Sequence, residues 1–508
     1  MDVAAKRSRI ALTSVGLALL ALYLVNRLPA LDRDFWIDEV FSVRMASLPA
    51  GEIPAALAER DTHPPLYFLL LHGWMQVVGQ GEGAVRWLSV LLGLAAAAGF
   101  ATVARQLGGW RAGTITFALA CVSWYLARPA AEARPIVLMA ALSAWAWVAM
   151  LAALQRTRWR EWVLAGVLLG ASAYAFYYAL HAAIALAAFV LASRPLRRDL
   201  HGLALAAGIA IVLLLPWIPS LGMQARDVIG RPGVAFARLD GSGGALAALA
   251  REHLVDLTPW RSLGAGAWLL SLPLLALCLT GCGCASEPGR PYGRALVAAF
   301  LAWCITYVAL AAAGSFAQPR YAAWLAGLWC VLAGVFVARL ERRPLLVAAT
   351  LLLGFVVVRG TLRMPRQLER LEIERWSAAA EHLRADAGPD DIVLVVPPWS
   401  ERALSFYWPD AKPTVVALPR GLDALPGHER PPDPRRHGLR AELDGAPLQA
   451  LLAGREHVWL VGTPAHHPQV DHGRAWLANE LAAGGWAFEG RQAFGAVTTE
   501  RYRRPPPR

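Results

Sequence analysis

The chain has 508 residues, 56% of them hydrophobic and 17% charged. Soluble domains carry about 25% charged residues, so this composition excludes an ordinary water-soluble enzyme, a disordered chain and a secreted disulfide scaffold. The formal net charge of +12 sits largely in short loops between apolar runs, beside no base-stacking or zinc-finger pattern, and does not indicate a nucleic-acid partner.

Lys6, Arg7 and Arg9 precede an apolar stretch from Ile10 to Val25. This reads as an uncleaved first span with a cytoplasmic N-terminus. Spans are expected at 9–27, 84–104, 112–128, 135–154, 161–175, 176–192, 202–220, 264–283, 294–313, 320–339 and 344–362. One further apolar run, 64–80, is marginal for about 30 Å of hydrocarbon and opens with Pro64 and Pro65. If it does not cross, Arg105 and Arg111, Arg156 to Arg160, Arg194 to Arg198, Arg290 and Arg294, and Arg339 to Arg343 all fall on the N-terminal side of the membrane. That is a consistent positive-inside pattern, so 64–80 is read as a juxtamembrane or re-entrant helix on the outer face. The stretch 161–192 is short for two crossings and needs a turn near Tyr174–Tyr178. A single long helix there is the alternative, and it would reverse everything downstream.

The expected fold is a polytopic α-helical membrane protein of about eleven transmembrane helices, with a small C-terminal α/β domain on the outer side. The expected domains are 1–365, with outer loops 28–83 and 221–263, and 366–508. In the tail, 376–386 suits a helix, as does a stretch near 473–483. Ile392–Val396, Thr414–Leu418, His457–Val461 and Trp486–Phe488 suit strands, and 424–439 reads as a Pro- and Arg-rich loop. His466, His467, Asp471 and His472 lie in a polar stretch and read as surface residues rather than a zinc site. The six cysteines, Cys121, Cys278, Cys282, Cys284, Cys304 and Cys330, all lie in or beside apolar runs. They imply no disulfide framework and read as small thiols within helices.

With this topology the outer face collects carboxylates and arginines. Trp36-Ile37-Asp38-Glu39 follows span one, within a segment that also carries Asp61. Adjacent carboxylates at a membrane surface are costly unless they stay wet or serve a purpose. Asp61-Thr62-His63-Pro64-Pro65-Leu66-Tyr67 enters the 64–80 run, the prolines setting its direction. Glu132-Ala133-Arg134-Pro135 ends one loop and Gln318-Pro319-Arg320-Tyr321 another. Each has a structural reading, as a solvated loop, a helix start or a local ion pair. Together they suit sugar transfer from a phosphorylated lipid. A carboxylate deprotonates or orients the acceptor hydroxyl, arginines neutralise the departing phosphate, and apolar helix surfaces accommodate the lipid.

The order of these motifs resembles the membrane glycosyltransferases of the family 39 type, which have the GT-C fold and include protein O-mannosyltransferases and lipid A aminoarabinose transferases. It runs Asp-Glu after span one, His-Pro-Pro-Leu-Tyr, Glu-Ala-Arg-Pro before span four, a Tyr-x-Phe-Tyr-Tyr turn at 174–178, then Pro-Arg-Tyr. The resemblance covers about 1–362, and Ile136 stands where the family has an aromatic residue after Arg-Pro. It implies an inverting transferase that moves one sugar from a polyprenyl-phosphate donor to an envelope acceptor (lipopolysaccharide, glycan, lipid or protein) outside a bacterial inner membrane. Carried over, Asp38 is the general base or an acceptor-binding carboxylate, with Glu39 supporting it and Glu132 a second acid of the site. Arg134 and Arg320 contact the donor phosphate, and Asp61, His63, Tyr67, Tyr177 and Tyr321 line the pocket. No cofactor is required by the resemblance. Asp38 and Glu132 are the residues that would hold a divalent cation through oxygen ligands, as some members do. The competing readings are a lipid-linked sugar transporter or flippase, and a non-enzymatic envelope assembly protein.

Overall fold

In hydrocarbon a backbone segment must satisfy its own hydrogen bonds, so long apolar runs fold as helices. The computed structural model describes residues 3–156, 158–193, 196–228, 247–248, 250–281, 292–312, 319–369, 374–418, 446–463 and 468–504. It divides into two compact units, one of Met1–Leu31 and His63–Leu368, the other of Asp32–Thr62 and Glu369–Arg508.

The first unit is helical. Five helical stretches among the described residues are long and apolar enough to cross a membrane: Glu82–Val122, Ile136–Arg156, Leu200–Gln224, Gly293–Leu310 and Arg343–Leu368. Ser14–Ala30, Leu66–Val78, Ala179–Ala192 and Ala323–Ala338 are shorter apolar helical stretches. This is a multi-pass membrane protein. The spans expected at 84–104 and 112–128 are two helices meeting directly at Gly109, whose φ of 79° is open to glycine and strained for other residues. Over 161–192 the structure forms two helices, Trp159–Ala175 and Ala179–Ala192, separated by an extended Phe176. The single long helix is not formed. The 64–80 run forms a helix over Leu66–Val78, about 20 Å at 1.5 Å per residue and short of a crossing.

Helix Ala323–Ala338 is buried almost throughout and packs along Glu82–Val122. Small residues permit the close approach. A Cβ on Gly327 would overlap the Phe100 ring, and one on Gly334 would overlap Thr116 Oγ1 and lie 2.6 Å from Ala112 O. Thr116 Oγ1 donates to Cys330 O at 3.1 Å. Cys121 and Cys330 are buried free thiols, and Cys304 is a half-buried one. Cys282 and Cys284 lie outside the described residues, as does the side chain of Cys278.

The second unit is built on a five-stranded sheet of order β2-β1-β3-β5-β4. Its strands are β1 (Ile392–Val395), β2 (Thr414–Ala417), β3 (His457–Gly462), β4 (Ala487–Phe494) and β5 (Val497–Arg503). β2, β1 and β3 are parallel, Ile392 pairing with Thr414 and with Val458. β5 runs antiparallel to both β3 and β4. Ile392, Leu394, Val458 and Leu460 meet Leu477 and Leu481 of helix Pro468–Ala483 in the core. The expected helix over 376–386 forms as Trp376–Asp386. Strand β5 and helix Ser400–Tyr407 are additional to the elements expected from sequence. The expected loop 424–439, with His466 and His467, lies outside the described residues, as do the side chains of Asp471 and His472.

Candidate functional site

The two units supply separate groups of functional side chains. In the helical unit, helix Glu82–Val122 ends at Ser123 and the chain turns through helix Trp124–Ala127 and a 3-10 turn, Pro129–Ala131, before helix Ile136–Arg156. Pro129 sits where a 3-10 turn needs no N–H donor, and Pro135 directs the chain into the next helix. Glu132 and Arg134 are held on this connection at 3% and 2% exposure. Glu132 Oε1 accepts Arg128 Nε–H at 2.9 Å, and Arg134 N–H donates to Glu132 O at 2.9 Å. A buried carboxylate is tolerable when a guanidinium lies beside it.

Arg320 stands on a 3-10 turn, Pro319–Tyr321. Its Nη2 donates to Tyr321 OH at 3.0 Å, and the guanidinium lies 5.1 Å from the Tyr321 ring centroid. The Tyr321 ring lies 5.0 Å from both Phe176 and Tyr178. Phe176 stacks on His63 at 5.5 Å, His63 meets Phe68 edge-on, and Phe68 meets Tyr67. The extended backbone at Phe176, where the two helices break, places that ring in the run. The structure thus gathers Arg320, Tyr321, His63 and Tyr67 along one aromatic wall. Tyr177 is held elsewhere: its hydroxyl donates to Gln224 Oε1 at 2.5 Å and accepts from Trp217 Nε1 at 2.7 Å. The neighbouring tyrosine on the wall is Tyr178.

The wall continues past the residues expected from sequence. Tyr178 contacts His181, His181 contacts Tyr307, and Tyr307 meets His253 at 4.8 Å. Tyr307 OH donates to Glu252 Oε1 at 2.7 Å. Glu252 opens a five-residue π-helix, Glu252–Asp256, a rare form frequent at functional sites. Burial pushes its carboxyl up to about 7, against the lowering effect of the Tyr307 hydrogen bond.

In the second unit, Asp38 and Glu39 lie in the first turn of helix Ile37–Ala46, at 7% and 0% exposure. Glu39 Oε2 reaches back to Trp36 N–H at 3.4 Å, as the third helical residue of a capping box does. Asp38 O accepts from Ser42 Oγ at 3.0 Å. Asp61, also buried, closes helix Ile53–Arg60, its N–H donating to Leu57 O. A third carboxylate joins the pair. Glu374 Oε2 accepts Ile37 N–H at 3.0 Å and Trp376 Nε1–H at 2.8 Å. Burial pushes Glu374 up to about 7, the two hydrogen bonds oppose that, and the charges of Asp38 and Glu39 add to it. A lone Glu in the C-terminal tail carries no sequence signal for such a position. Among the described residues, no group of three or more His, Cys, Asp or Glu side chains converges in a metal-ligating arrangement.

Residues 62–219 match the family model described as dolichyl-phosphate-mannose-protein mannosyltransferase. No curated protein sequence matches the chain. Solved structures do. Apo ArnT from Cupriavidus metallidurans aligns with 97% of this chain and 98% of its own at 16% identity and a TM-score of 0.57. The same protein bound to undecaprenyl phosphate aligns with 96% and 98% at 15% identity and a TM-score of 0.58. The archaeal oligosaccharyltransferase AglB from Archaeoglobus fulgidus, in complex with an inhibitory peptide and a dolichol-phosphate, aligns with 97% and 74% at 12% identity and a TM-score of 0.59. The resemblance read from the motifs is borne out to this extent: residues 62–219 match the mannosyltransferase-family model, and the chain shares the fold of the ArnT and AglB structures.

Proposed function

We propose that the chain is an inverting glycosyltransferase that moves a single sugar from a polyprenyl-phosphate donor to an envelope acceptor on the outer face of a bacterial inner membrane. The observation that carries the reading is its likeness, over nearly its whole length, to a structure that holds undecaprenyl phosphate. The order of carboxylate and arginine motifs supports it. Residues 1–365 are the transmembrane glycosyltransferase domain and cross eleven times, and 366–508 form a periplasmic α/β domain. The N-terminus is cytoplasmic.

In this reading Asp38 takes the proton of the acceptor hydroxyl as that oxygen bonds to the anomeric carbon. The bond from that carbon to the phosphate oxygen breaks on the opposite face. Its electron pair leaves on the phosphate, where Arg134 and Arg320 neutralise the growing charge. Glu132 orders the loop of Arg134 through its pairing with Arg128, and Glu39 orders the helix of Asp38. His63, Tyr67 and Tyr321 line the pocket of the helical unit. The test is transfer by membranes carrying the wild type or Asp38→Asn, each supplied with a panel of radiolabelled polyprenyl-phosphate sugars. The expected result is transfer from one donor that falls by roughly 10²–10⁴-fold in the variant at equal expression. Equal transfer by both removes Asp38 from the chemistry, and no transfer from any donor favours the transporter reading.

A further inference from the structure

Two hydrogen bonds run in opposite directions between segment 34–37 and residues 374–377. Ile37 N–H, the first of helix Ile37–Ala46, donates to Glu374 Oε2 at 3.0 Å. Ser377 N–H, in the first turn of helix Trp376–Asp386, donates to Asp34 Oδ2 at 2.8 Å. Each segment supplies the carboxylate that caps the helix of the other. The need is local: the N-cap positions hold Trp36 and Arg375, neither of which makes a side-chain cap bond. Such helix starts leave N–H groups that require an outside acceptor. A helix of ten residues is also marginal without tertiary support. Further ties lie on both sides. Phe35 N–H donates to Tyr407 OH at 2.7 Å, Arg44 Nη2 donates to Ser405 Oγ at 2.6 Å, and the Phe35 ring meets Phe406 edge-on at 5.8 Å.

We propose that Glu374 is the positioning residue of Asp38, holding the first turn of helix Ile37–Ala46 from outside and so setting the direction of the carboxylate one residue on. The inference rests on the reading of Asp38 as the base. Glu374 itself does not touch the reacting atoms. Its Oε2 is fixed by the Trp376 indole N–H, so the acceptor that Ile37 meets has one orientation. The C-terminal tail thereby becomes a working part of the transferase, because Glu374 supplies the acceptor that Ile37 N–H meets.

The experiment uses the full-length protein with Glu374→Ala, Glu374→Gln and Asp38→Asn in parallel. Gln keeps a carbonyl oxygen for both N–H donors, and Ala keeps none. Expected are a roughly 10–100-fold loss of kcat in Glu374→Ala with the donor KM within about twofold, and recovery of most of kcat in Glu374→Gln. Hydrogen exchange in Glu374→Ala is expected to rise across 37–46 while β1 and β3 stay protected. An unchanged kcat in Glu374→Ala overturns the proposal. So does a loss in which exchange rises equally across the sheet, because that is general unfolding. Equal losses in the Ala and Gln variants overturn it too, since the charge would then matter rather than the cap. Full transfer by Asp38→Asn sinks the reading of the base and this role with it. Failure of the Glu374 variants alone leaves that reading standing.

Discussion

Glu132 and Glu374 are both acids set just before a helix, one in each unit, and their surroundings are opposite. Glu132 has a guanidinium at 2.9 Å. Glu374 has two neutral N–H donors, with the like charges of Asp38 and Glu39 nearby. The first arrangement ties Glu132 to Arg128 and orders the connection that carries Arg134. The second raises proton affinity while still holding a backbone in place. A carboxylate therefore takes its role from what it accepts from, not from its place in a motif.

The harshest way to break the contrast is to remove the cation. Arg128→Ala leaves the Glu132 carboxylate buried beside no guanidinium from that position. It is expected to destabilise the helical unit by about 2–3 kcal/mol, somewhat less than the cost of splitting a fully buried pair because Arg128 is partly exposed. Thermal unfolding of the detergent-solubilised protein reads it, and an unchanged midpoint would mean that the pair orders nothing. Arg134→Lys keeps the charge and loses the planar fork. Transfer is expected to fall roughly tenfold if the phosphate is held in bidentate fashion, whereas full activity would reduce Arg134 to a point charge.

The smallest effect sharpens the comparison by its sign. Glu374 has an ordinary value of 4.5 and is raised to about 7 in the folded chain. Between those values the folded state holds a proton that the unfolded chain has released. Its contribution to stability therefore falls as pH rises through this window and is flat above it. Glu374→Gln should abolish that component, so the variant gains on the wild type between pH 5 and pH 8. Unfolding midpoints of both proteins at the two pH values decide it. A difference independent of pH would show that the carboxyl is not raised.

Much of the helical layout was legible in the sequence because hydrocarbon imposes a single rule on long apolar runs. The break at Phe176 was readable from span length and flanking arginines, and the elements 376–386, β1, β2 and β3 from local pattern. Strand β5 was not: its residues Thr498, Thr499, Glu500 and Arg501 lack the apolar alternation that marks a strand, and pairing with β3 and β4 forms it. The aromatic wall was half legible. Arg320, Tyr321, His63, Tyr67 and Phe176 stand in motifs, whereas His181 and Tyr307 sit in apolar helices where any aromatic residue reads as packing. Of two adjacent tyrosines, only the backbone path could say that Tyr178 faces Tyr321 while Tyr177 bonds Gln224.

The sequence by itself determined the class of molecule, the helical segments and the residue types available for chemistry. Composition and periodicity are local properties, and the membrane leaves them few outcomes. Tertiary structure alone decided that the acidic segment 32–62 groups with the tail rather than with the helices before and after it. It also decided that Glu374, more than three hundred residues from Ile37 along the chain, caps the turn that carries Asp38. A hydrogen bond acts over 3 Å of space and is indifferent to sequence separation, so no local pattern could have announced it.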